Sequence, residues 1–241
     1  MEDSKGTPKY GWDGSPYRLG LFLAVTLGGA SWLTASPGIF LRLAGYTLLL
    51  CGLLMCAEAA VWIFYVQRGK FLRRDRMLAM IDWTGDERVL DVGTGRGLLM
   101  IGAAKKLTRG TSVGIDIWSA DDMLNNSHAA TMRNAVLEGV LNRIEIKDED
   151  ARRMSFADAS FDVVLSNLCI HNIPSKEGRD KACREIARVL KPGGVALISD
   201  LLFTDHYHRV FEEEGMAVTA VQPPFWEACF PGQRILKAVK A

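Results

Sequence analysis

A glycine-rich turn between two acidic residues has the clearest chemical meaning in this sequence. An apolar run containing Asp91 leads into Gly93, Gly95 and Gly97, and a second apolar run ends at Asp116. Alternate glycines let the backbone turn sharply and approach a ligand closely, and the helix that follows presents free N–H groups to that ligand. An acid about 20 residues further along can bind both ribose hydroxyls of a nucleoside. The pattern therefore predicts a nucleoside cofactor.

The glycine spacing also indicates which nucleoside cofactor binds. A dinucleotide fingerprint, G-x-G-x-x-G, requires its third glycine where this chain has Leu98. Asp91 would repel a pyrophosphate but suits an ammonium group. A ribose and a cation without phosphate are features of S-adenosylmethionine (SAM). We therefore expect SAM and its product S-adenosylhomocysteine (SAH) to bind and NAD not to bind, which disfavours a nicotinamide oxidoreductase.

Five motifs in order resemble the class I SAM-dependent methyltransferases, most closely the ubiquinone/menaquinone C-methyltransferase type and its small-molecule relatives. They fall between residues 70 and 200 and comprise the glycine turn, Asp116, the segment 144–152, the strand 160–167 and the helix, turn and strand 184–200. The resemblance implies an α/β fold with a Rossmann-like sheet of seven strands. Its last strand, near Arg234–Val239 after one at Met216–Val221, is expected to be antiparallel. The implied reaction is methyl transfer from SAM to a small molecule.

Spacing and resemblance together define the expected cofactor site. In the family, the pair corresponding to Asp150 and Ala151 lies against the adenine. Trp118 is expected to shield the adenine face or to pack in the core. A helix is expected over Ala120–Glu138, with Asp121 and Asp122 at its amino end, where acidic residues favour the helix dipole. A contact of Asn126 with the cofactor is left open, and Arg152 is expected to be ordinary surface charge. The expected cofactor-binding set is Asp91, Gly93, Thr94, Gly95, Gly97, Asp116, Ile117, Trp118, Asn126, Asp150, Ala151 and Asn167.

Two polar residues after the fourth strand are the candidates for catalysis. Methyl transfer mainly requires alignment of nucleophile, methyl and sulfur, and a base is needed only when the nucleophile carries a proton. His171 is the candidate base, because imidazole titrates near neutral pH; the alternative is a polar residue at the rim. Asn167 is expected to orient substrate or SAM, or else to cap the strand.

Two uncharged or nearly uncharged stretches precede the methyltransferase motifs. Leu19–Ala35 and Ile39–Val66 predict a two-helix transmembrane hairpin, with a monotopic hairpin as the alternative and a secretory signal disfavoured. Basic residues after the hairpin place both termini and the catalytic domain in the cytoplasm. The expected divisions are a segment at 1–18, a membrane anchor at 19–66, a basic linker at 67–80 and the methyltransferase domain at 81–241.

The segment before the hairpin is aromatic and rich in turn residues. Tyr10 and Trp12 predict either an interfacial aromatic belt or a lid that meets His171 over the substrate pocket. Within the hairpin, small residues recur every four positions, which predicts close helix packing and allows a homo-oligomer through the membrane helices. These residues are Gly20, Ala24 and Gly28 on the first helix and Gly52, Cys56 and Ala60 on the second.

Composition excludes several classes of function. The net charge is +1 and no basic tract demands nucleic acid. The five cysteines have no C-x-x-C spacing, so no metal is expected. The leading hypothesis is a membrane-anchored methyltransferase acting on a small, lipophilic acceptor from the bilayer. The alternatives are a protein methyltransferase acting on membrane-associated partners and a non-catalytic SAM-binding module, which the intact glycine turn disfavours.

Overall fold

A seven-stranded sheet forms the centre of the molecule. The computed structural model describes residues 6–11, 17–35, 38–119, 126–228 and 232–241. The strands follow the order β3-β2-β1-β4-β5-β7-β6, and β7 runs antiparallel to both of its neighbours. Their bounds are β1 Arg88–Val92, β2 Thr111–Asp116, β3 Ile144–Asp148, β4 Phe161–Asn167, β5 Leu190–Asp200, β6 Met216–Val221 and β7 Arg234–Lys240. The predicted sheet, with its antiparallel last strand, is confirmed.

Helices cover both faces of this sheet. On β1, Leu90 and Val92 face a core shared with α6 (Lys176–Val189) and α7 (Thr204–Glu213). Val89 faces a core shared with α3 (Lys70–Ala79) and α4 (Leu98–Ala104). This alternation follows from the two-residue period of a strand, and burial on both faces explains the nearly continuous apolar sequence. The helices are α1 Tyr17–Ala35, α2 Ile39–Phe64, α3 Lys70–Ala79, α4 Leu98–Ala104, α5 His128–Leu137, α6 Lys176–Val189 and α7 Thr204–Glu213.

The start of α5 corrects one expectation from the sequence. A helix was expected to begin at Ala120, with Asp121 and Asp122 in its first turn, but residues 126 and 127 are not helical. Ser127 has extended backbone geometry and its side chain accepts a hydrogen bond from the N–H of Ala130. This capping starts the helix at His128. The two acidic residues lie outside the described part of the chain.

Helices α1 and α2 pack closely as an antiparallel pair. A Cβ on Gly29 would lie 2.6 Å from the backbone nitrogen of Leu49, so only glycine allows this approach. Thr26 and Cys56 meet at 3.5 Å between Oγ1 and Sγ beside Gly52. The second predicted small-residue face is therefore largely correct. The first is wrong by one position, since Gly28 is exposed and nothing lies within 4 Å of its Cβ position. Ala24 and Ala60 are also exposed.

The second helix continues into the catalytic part of the chain. A π-helical turn, Tyr65–Gly69, joins α2 directly to α3, so residues 67–80, expected as a linker, are almost wholly helical. Within the described residues, one helix, Ile39–Ala79, is long and apolar enough to cross a membrane, and the apolar part of α1, Leu23–Leu33, is shorter. The transmembrane hairpin is thus not confirmed as a pair of spans.

Candidate functional site

The predicted cofactor residues lie at the carboxyl ends of the parallel strands. Strand β1 has β2 on one side and β4 on the other, so the chain order reverses there. Ligands of open α/β sheets bind in the crevice formed at such a switch point. Asp91 and the glycine turn lie at the end of β1, Asp116 ends β2 and Asn167 ends β4. The fold therefore gathers these side chains at one edge.

The glycine turn has the backbone geometry that its sequence predicts. Gly93, Gly95 and Gly97 all have positive φ angles, of 73°, 52° and 83°. A Cβ on Gly93 would overlap the side chain of Cys169, which follows β4. The turn is thus compressed between the ends of β1 and β4, and only glycine fits there. Thr94, another predicted cofactor residue, donates from Oγ1 to Asp91 Oδ2 at 2.9 Å.

Asp91 is a buried acid within this turn. Its Oδ2 also accepts a hydrogen bond from the N–H of Met100 at 2.8 Å. Burial raises the pKa of Asp91 to about 7, against the lowering effect of the hydrogen bonds from Thr94 and Met100, and the nearby Asp116 carboxylate raises it further. A cation bound beside this group would favour the ionised form. The predicted interaction with the ammonium of SAM therefore has a clear electrostatic basis.

This pKa predicts a pH-dependent affinity for SAH. Below about pH 7 the free protein holds a proton on Asp91, which must leave before the carboxylate can bind an ammonium. Affinity should therefore weaken as pH falls, by about tenfold between pH 8 and pH 6. Calorimetric titration with SAH across this range measures the effect. The Asp91→Asn variant should bind SAH more weakly and with no such slope; an equal slope in the variant would exclude Asp91 as its source.

Asp116 closes the glycine turn onto β2. Its Oδ2 accepts from the N–H of Gly95 at 2.7 Å, and its Oδ1 accepts from the N–H of Trp118 at 2.7 Å and from Asn126 Nδ2 at 3.3 Å. Each carboxylate oxygen has further acceptor capacity, so these contacts are compatible with ribose hydroxyls. Asn126, whose role the sequence left open, thus belongs to the Asp116 environment.

The residues after β2 present an apolar surface at the same edge. Ile117 is 64% exposed. Trp118 is half-buried and has a φ of 58°, and its indole N–H donates to Asp148 Oδ1 at 2.5 Å. Its ring also lies 5.8 Å from that of His128. Trp118 is therefore a fixed edge residue and not a core residue, a position suited to an adenine ring.

The pair predicted to meet the adenine follows β3. Asp150 forms an ion pair with Arg152, at 2.6 Å from Oδ2 to Nη2, and this contact lowers the pKa of Asp150. Ala151 is partly buried against the main core. Arg152 had been interpreted as ordinary surface charge, and the structure gives it the role of fixing the Asp150 turn.

Two buried amide oxygens point to a missing hydrogen-bond donor. Asn167 Oδ1 and Asn126 Oδ1 are buried and have no hydrogen-bond partner among the described residues. Buried polar atoms are nearly always paired in native proteins. SAM offers donors of the required kind in its ammonium, ribose and adenine groups. The residues of this site therefore fit SAM, by the chemistry of their acceptors and by the space that the glycines leave.

His171 lies in a short 3-10 turn after β4 and forms a pair that the sequence reasoning missed. Its Nδ1 is 2.5 Å from Asp200 Oδ1, and its backbone N–H donates to Asp200 Oδ2 at 3.0 Å. Asp200 ends β5 and is fully buried, and it also accepts from the N–H of Leu201. An acid at the end of a parallel strand, like Asp91 and Asp116, was the available signal. The pairing itself requires the β4–β5 register, in which Asn167 lies beside Ser199.

Tyr10 lies in a different environment from the one expected for a lid. Its ring is buried in a cluster with Phe71 and with residues of α4 and α5, and its hydroxyl donates to Glu138 Oε1 at 2.8 Å. The backbone N–H of Lys9 donates to Asn134 Oδ1, and Asn134 Nδ2 donates to the carbonyls of Lys9 and of Arg96 in the glycine turn. Tyr10 thus anchors the amino-terminal segment beside the turn. Trp12 lies outside the described residues.

This burial predicts a large contribution of Tyr10 to stability. Tyr10→Ala should lower the free energy of unfolding by about 3–5 kcal/mol, because it leaves a cavity between helices. Tyr10→Phe should cost only about 1 kcal/mol, since it removes one hydrogen bond and keeps the ring. Denaturant unfolding of both variants in detergent provides the comparison. Equal, small effects would show that the ring is not buried in solution.

A metal centre finds no support in the described parts of the chain. No group of three or more His, Cys, Asp or Glu residues there could hold a metal ion. The nearest feature on the helices is another histidine–carboxylate contact, between His206 of α7 and Asp180 of α6. It joins two helices and leaves no third ligand.

Comparison with known proteins identifies the domain. Residues 90–198 match the family model described as "Methyltransferase domain". This match covers less than half of the chain, and together with the fold it shows similarity to SAM-dependent methyltransferase domains. Among solved structures, phosphoethanolamine N-methyltransferase 2 of Haemonchus contortus in complex with SAM has a TM-score of 0.53 and 20% identity. The alignment covers 70% of this chain and 52% of that one, and it shows likeness of fold.

Curated relatives are similar over about half of the chain. Sterol 4-C-methyltransferase strm-1 of Caenorhabditis elegans is 34% identical over 123 residues, covering 50% of this chain and 33% of that protein. Demethylmenaquinone methyltransferase of Bacteroides fragilis is 32% identical over 121 residues, covering 50% and 46%. The chain therefore spans less than half the length of these two relatives.

Proposed function

We propose that this protein is a membrane-anchored methyltransferase that transfers a methyl group from SAM to a small, lipophilic acceptor. The main observation that supports this proposal is the position at which α2 ends. Tyr65 and Val66, at the end of the apolar helix, pack against Leu168 and Leu201. These leucines directly follow Asn167 and Asp200, so the apolar helix ends beside the candidate substrate residues.

The cofactor proposal follows from the acceptor groups at the sheet edge. Asp91 and Asn167 would hold the ammonium end of SAM, and Asp116 would hold the ribose. Ile117 and Trp118 would cover the adenine, with the turn at Asp150 and Ala151 on its other side. When bound, SAM supplies a methyl group on a sulfonium, which is a good leaving group. The protein has to align the acceptor with that methyl, and alignment can provide several kcal/mol.

His171 and Asp200 would control the proton of the acceptor. Nδ1 lies 2.5 Å from a buried carboxylate, although the angle of this contact is outside hydrogen-bond geometry. In the proposed mechanism this carboxylate favours the tautomer with its hydrogen on Nδ1 and its lone pair on Nε2. Asp200 also stabilises the imidazolium that forms when Nε2 accepts a proton. The attacking atom loses its proton to Nε2, and the imidazolium returns it to water after the product leaves. Acceptors with an ionisable O–H, N–H or S–H, or an acidic C–H, suit this pair.

Membrane anchoring is supported by what α2 leaves exposed. Only 11% of its most apolar stretch is buried, whereas the core helix of a soluble protein is mostly buried. The exposed side chains of α1 and α2 include Leu27, Phe40, Leu50, Leu54 and Phe64. An apolar surface of this kind matches a bilayer, although the charged residues Arg42 and Glu58 are also exposed on α2. The remaining alternative is a hairpin that enters one leaflet only.

The packing of the amino-terminal segment supports a hairpin that returns to its starting side. Lys70 Nζ donates to the carbonyls of Tyr10 and Gly11, at 3.0 and 2.6 Å. The segment before α1 therefore lies on the same side as the catalytic domain. Arg68 and Arg74 near the end of α2 favour the cytoplasm for that side. An introduced cysteine at Ser4 should therefore be labelled only from the cytoplasmic face of sealed vesicles.

The acceptor class can be tested with the full-length protein in lipid vesicles. Labelled SAM is supplied with lipophilic acceptors (quinone precursors, sterols, phospholipid amines and alkyl thiols) and with water-soluble analogues of each. We expect methyl transfer to a bilayer-partitioned acceptor at a rate far above that for its soluble analogue. Preferential labelling of membrane proteins would favour the protein methyltransferase alternative. SAH binding without transfer to any acceptor would favour the non-catalytic alternative.

Because Tyr10 is buried in its own cluster, the proposal of a lid over the acceptor is limited to the residues after Tyr10. Deleting residues 1–16 would also remove Tyr10 from its cluster and destabilise the fold, so it cannot isolate a lid. Trp12→Ala should instead lower turnover by about tenfold without changing the melting temperature, if this ring covers the acceptor. Tyr10→Phe is the matched control and should keep its turnover. Unchanged turnover in Trp12→Ala would remove Trp12 from the site.

A further inference from the structure

Two exposed aromatic residues lie in a short turn between β6 and β7. Phe225 and Trp226 are 71% and 45% exposed, and their rings contact each other at a centroid distance of 5.2 Å. The proposed cofactor and proton-transfer residues do not include them. Large aromatic side chains exposed together commonly mark an interaction surface.

Two arginines of α3 hold this turn, Phe225–Glu227, which is called the aromatic turn below. Arg73, which is 1% exposed, donates from Nε to the carbonyl of Glu227 at 2.8 Å. Arg76 binds the Glu227 carboxylate with two hydrogen bonds, at 2.6 and 2.8 Å. Two arginines therefore fix the position from which the exposed rings project. A bidentate arginine–carboxylate contact fixes the relative orientation of its two partners, so the aromatic turn has a defined orientation relative to α3.

The aromatic turn lies at the height where the apolar helix ends. A Cβ on Gly69 would be 2.5 Å from the carbonyl oxygen of Trp226, so the turn touches the π-helical junction after α2. Helix α2 has 26 residues and is therefore about 39 Å long, against about 30 Å for a hydrocarbon core. The excess of about 9 Å is enough to place its final turns and the junction at the level of the lipid headgroups.

We propose that Phe225 and Trp226 insert into the interface of the same bilayer that holds α1 and α2. This proposal rests on the membrane anchoring proposed above. Tryptophan is enriched at this depth, because its ring is apolar and its N–H can reach water or headgroups. The exposed Arg68 at the same junction can bind lipid phosphate. The partner is thus a lipid surface, continuous with the exposed face of α2.

The contact would set the orientation of the active-site edge. Arg73 reaches from the aromatic turn to β5, where its Nη1 donates to Ser199 Oγ at 3.1 Å. Ser199 directly precedes Asp200. Insertion of Phe225 and Trp226 would give the protein a second membrane contact besides α1 and α2. Through Arg73, this contact would hold the end of β5, and with it the His171–Asp200 pair, at a fixed height above the bilayer.

Lipid quenching of tryptophan fluorescence can test this proposal. The full-length protein is placed in phosphatidylcholine vesicles whose acyl chains carry bromine near the headgroup. The protein used for this test carries phenylalanine in place of Trp12, Trp32 and Trp62. Its remaining tryptophans are Trp83, Trp118 and Trp226. We expect brominated lipid to quench the emission of this protein. The quenched part should be lost in Trp226→Phe and retained in the matched control Trp83→Phe.

The outcomes separate this proposal from membrane anchoring itself. Flotation of the protein with vesicles, without quenching that depends on Trp226, would overturn the aromatic contact and leave the anchor standing. Failure to float would overturn both. If the Phe225→Ser/Trp226→Ser variant loses a dimer that the parent forms in detergent, the turn binds a second copy and the lipid proposal is wrong. Circular dichroism should show unchanged folding in this variant, because both side chains are exposed.

Discussion

Replacing His171 by alanine is expected to lower turnover by about 10²–10⁴-fold, the usual contribution of a general base. Affinity for SAH should change less than twofold, since the imidazole is assigned to the acceptor side of the site. Steady-state rates with labelled SAM, together with calorimetric titration of SAH, separate the two quantities. Added imidazole should restore part of the activity of His171→Ala. Such rescue is not expected if the residue only supports the fold.

Asp200 is expected to act through His171. Asp200→Asn keeps the shape of the side chain but removes the charge that fixes the histidine tautomer and stabilises the imidazolium, so turnover should fall by about 10²-fold or more. The Michaelis constant of the acceptor should remain nearly constant. The contact of His206 with Asp180 provides a matched control, because His206→Ala removes a histidine–carboxylate pair between α7 and α6, away from the proposed site. Full activity in both His171→Ala and Asp200→Asn would leave alignment alone as the source of catalysis.

Replacing Asp116 by alanine is expected to weaken SAH binding by about 100-fold. A charged hydrogen bond to a buried partner contributes about 1.5–3 kcal/mol, and a ribose presents two hydroxyls. Calorimetry measures the loss directly. Part of this loss of affinity will come from a disturbed glycine turn, because Asp116 also accepts hydrogen bonds from the N–H groups of Gly95 and Trp118.

Two further variants separate ribose binding from support of the turn. Asp116→Asn keeps an acceptor for one of these N–H groups and should have an intermediate SAH affinity. Asp158→Ala removes an exposed acid that pairs with Arg188 on the surface and should bind SAH as the parent does. An unchanged SAH affinity in Asp116→Ala would mean that the ribose carboxylate has been misassigned.

The fold was largely predictable because its strands carry strong local patterns. β1 and β4 are apolar runs that end in polar residues, and glycines at positive φ follow β1. Such patterns involve residues that are close together in the sequence, so they can be recognised without knowledge of the tertiary structure. The start of α5 was missed because the polar stretch before it is compatible with a helix, and the Ser127 cap becomes visible only in the backbone geometry. The small-residue face of α1 was placed one residue away from Gly29, because the phase of a helix pair depends on its partner.

The cofactor could be predicted as SAM from local residue types alone. Alternate glycines, a buried acid before them and a second acid after β2 restrict the ligand physically, through backbone geometry and charge. The pairing of the remaining polar residues could not be predicted in this way. His171 and Asp200 are 29 positions apart, and Arg73 and Glu227 are 154 apart. Contacts of this kind depend on strand order and helix packing. For the same reason Tyr10, an aromatic residue in a polar segment, could be recognised as a buried anchor only once α3, α4 and α5 had been placed around it.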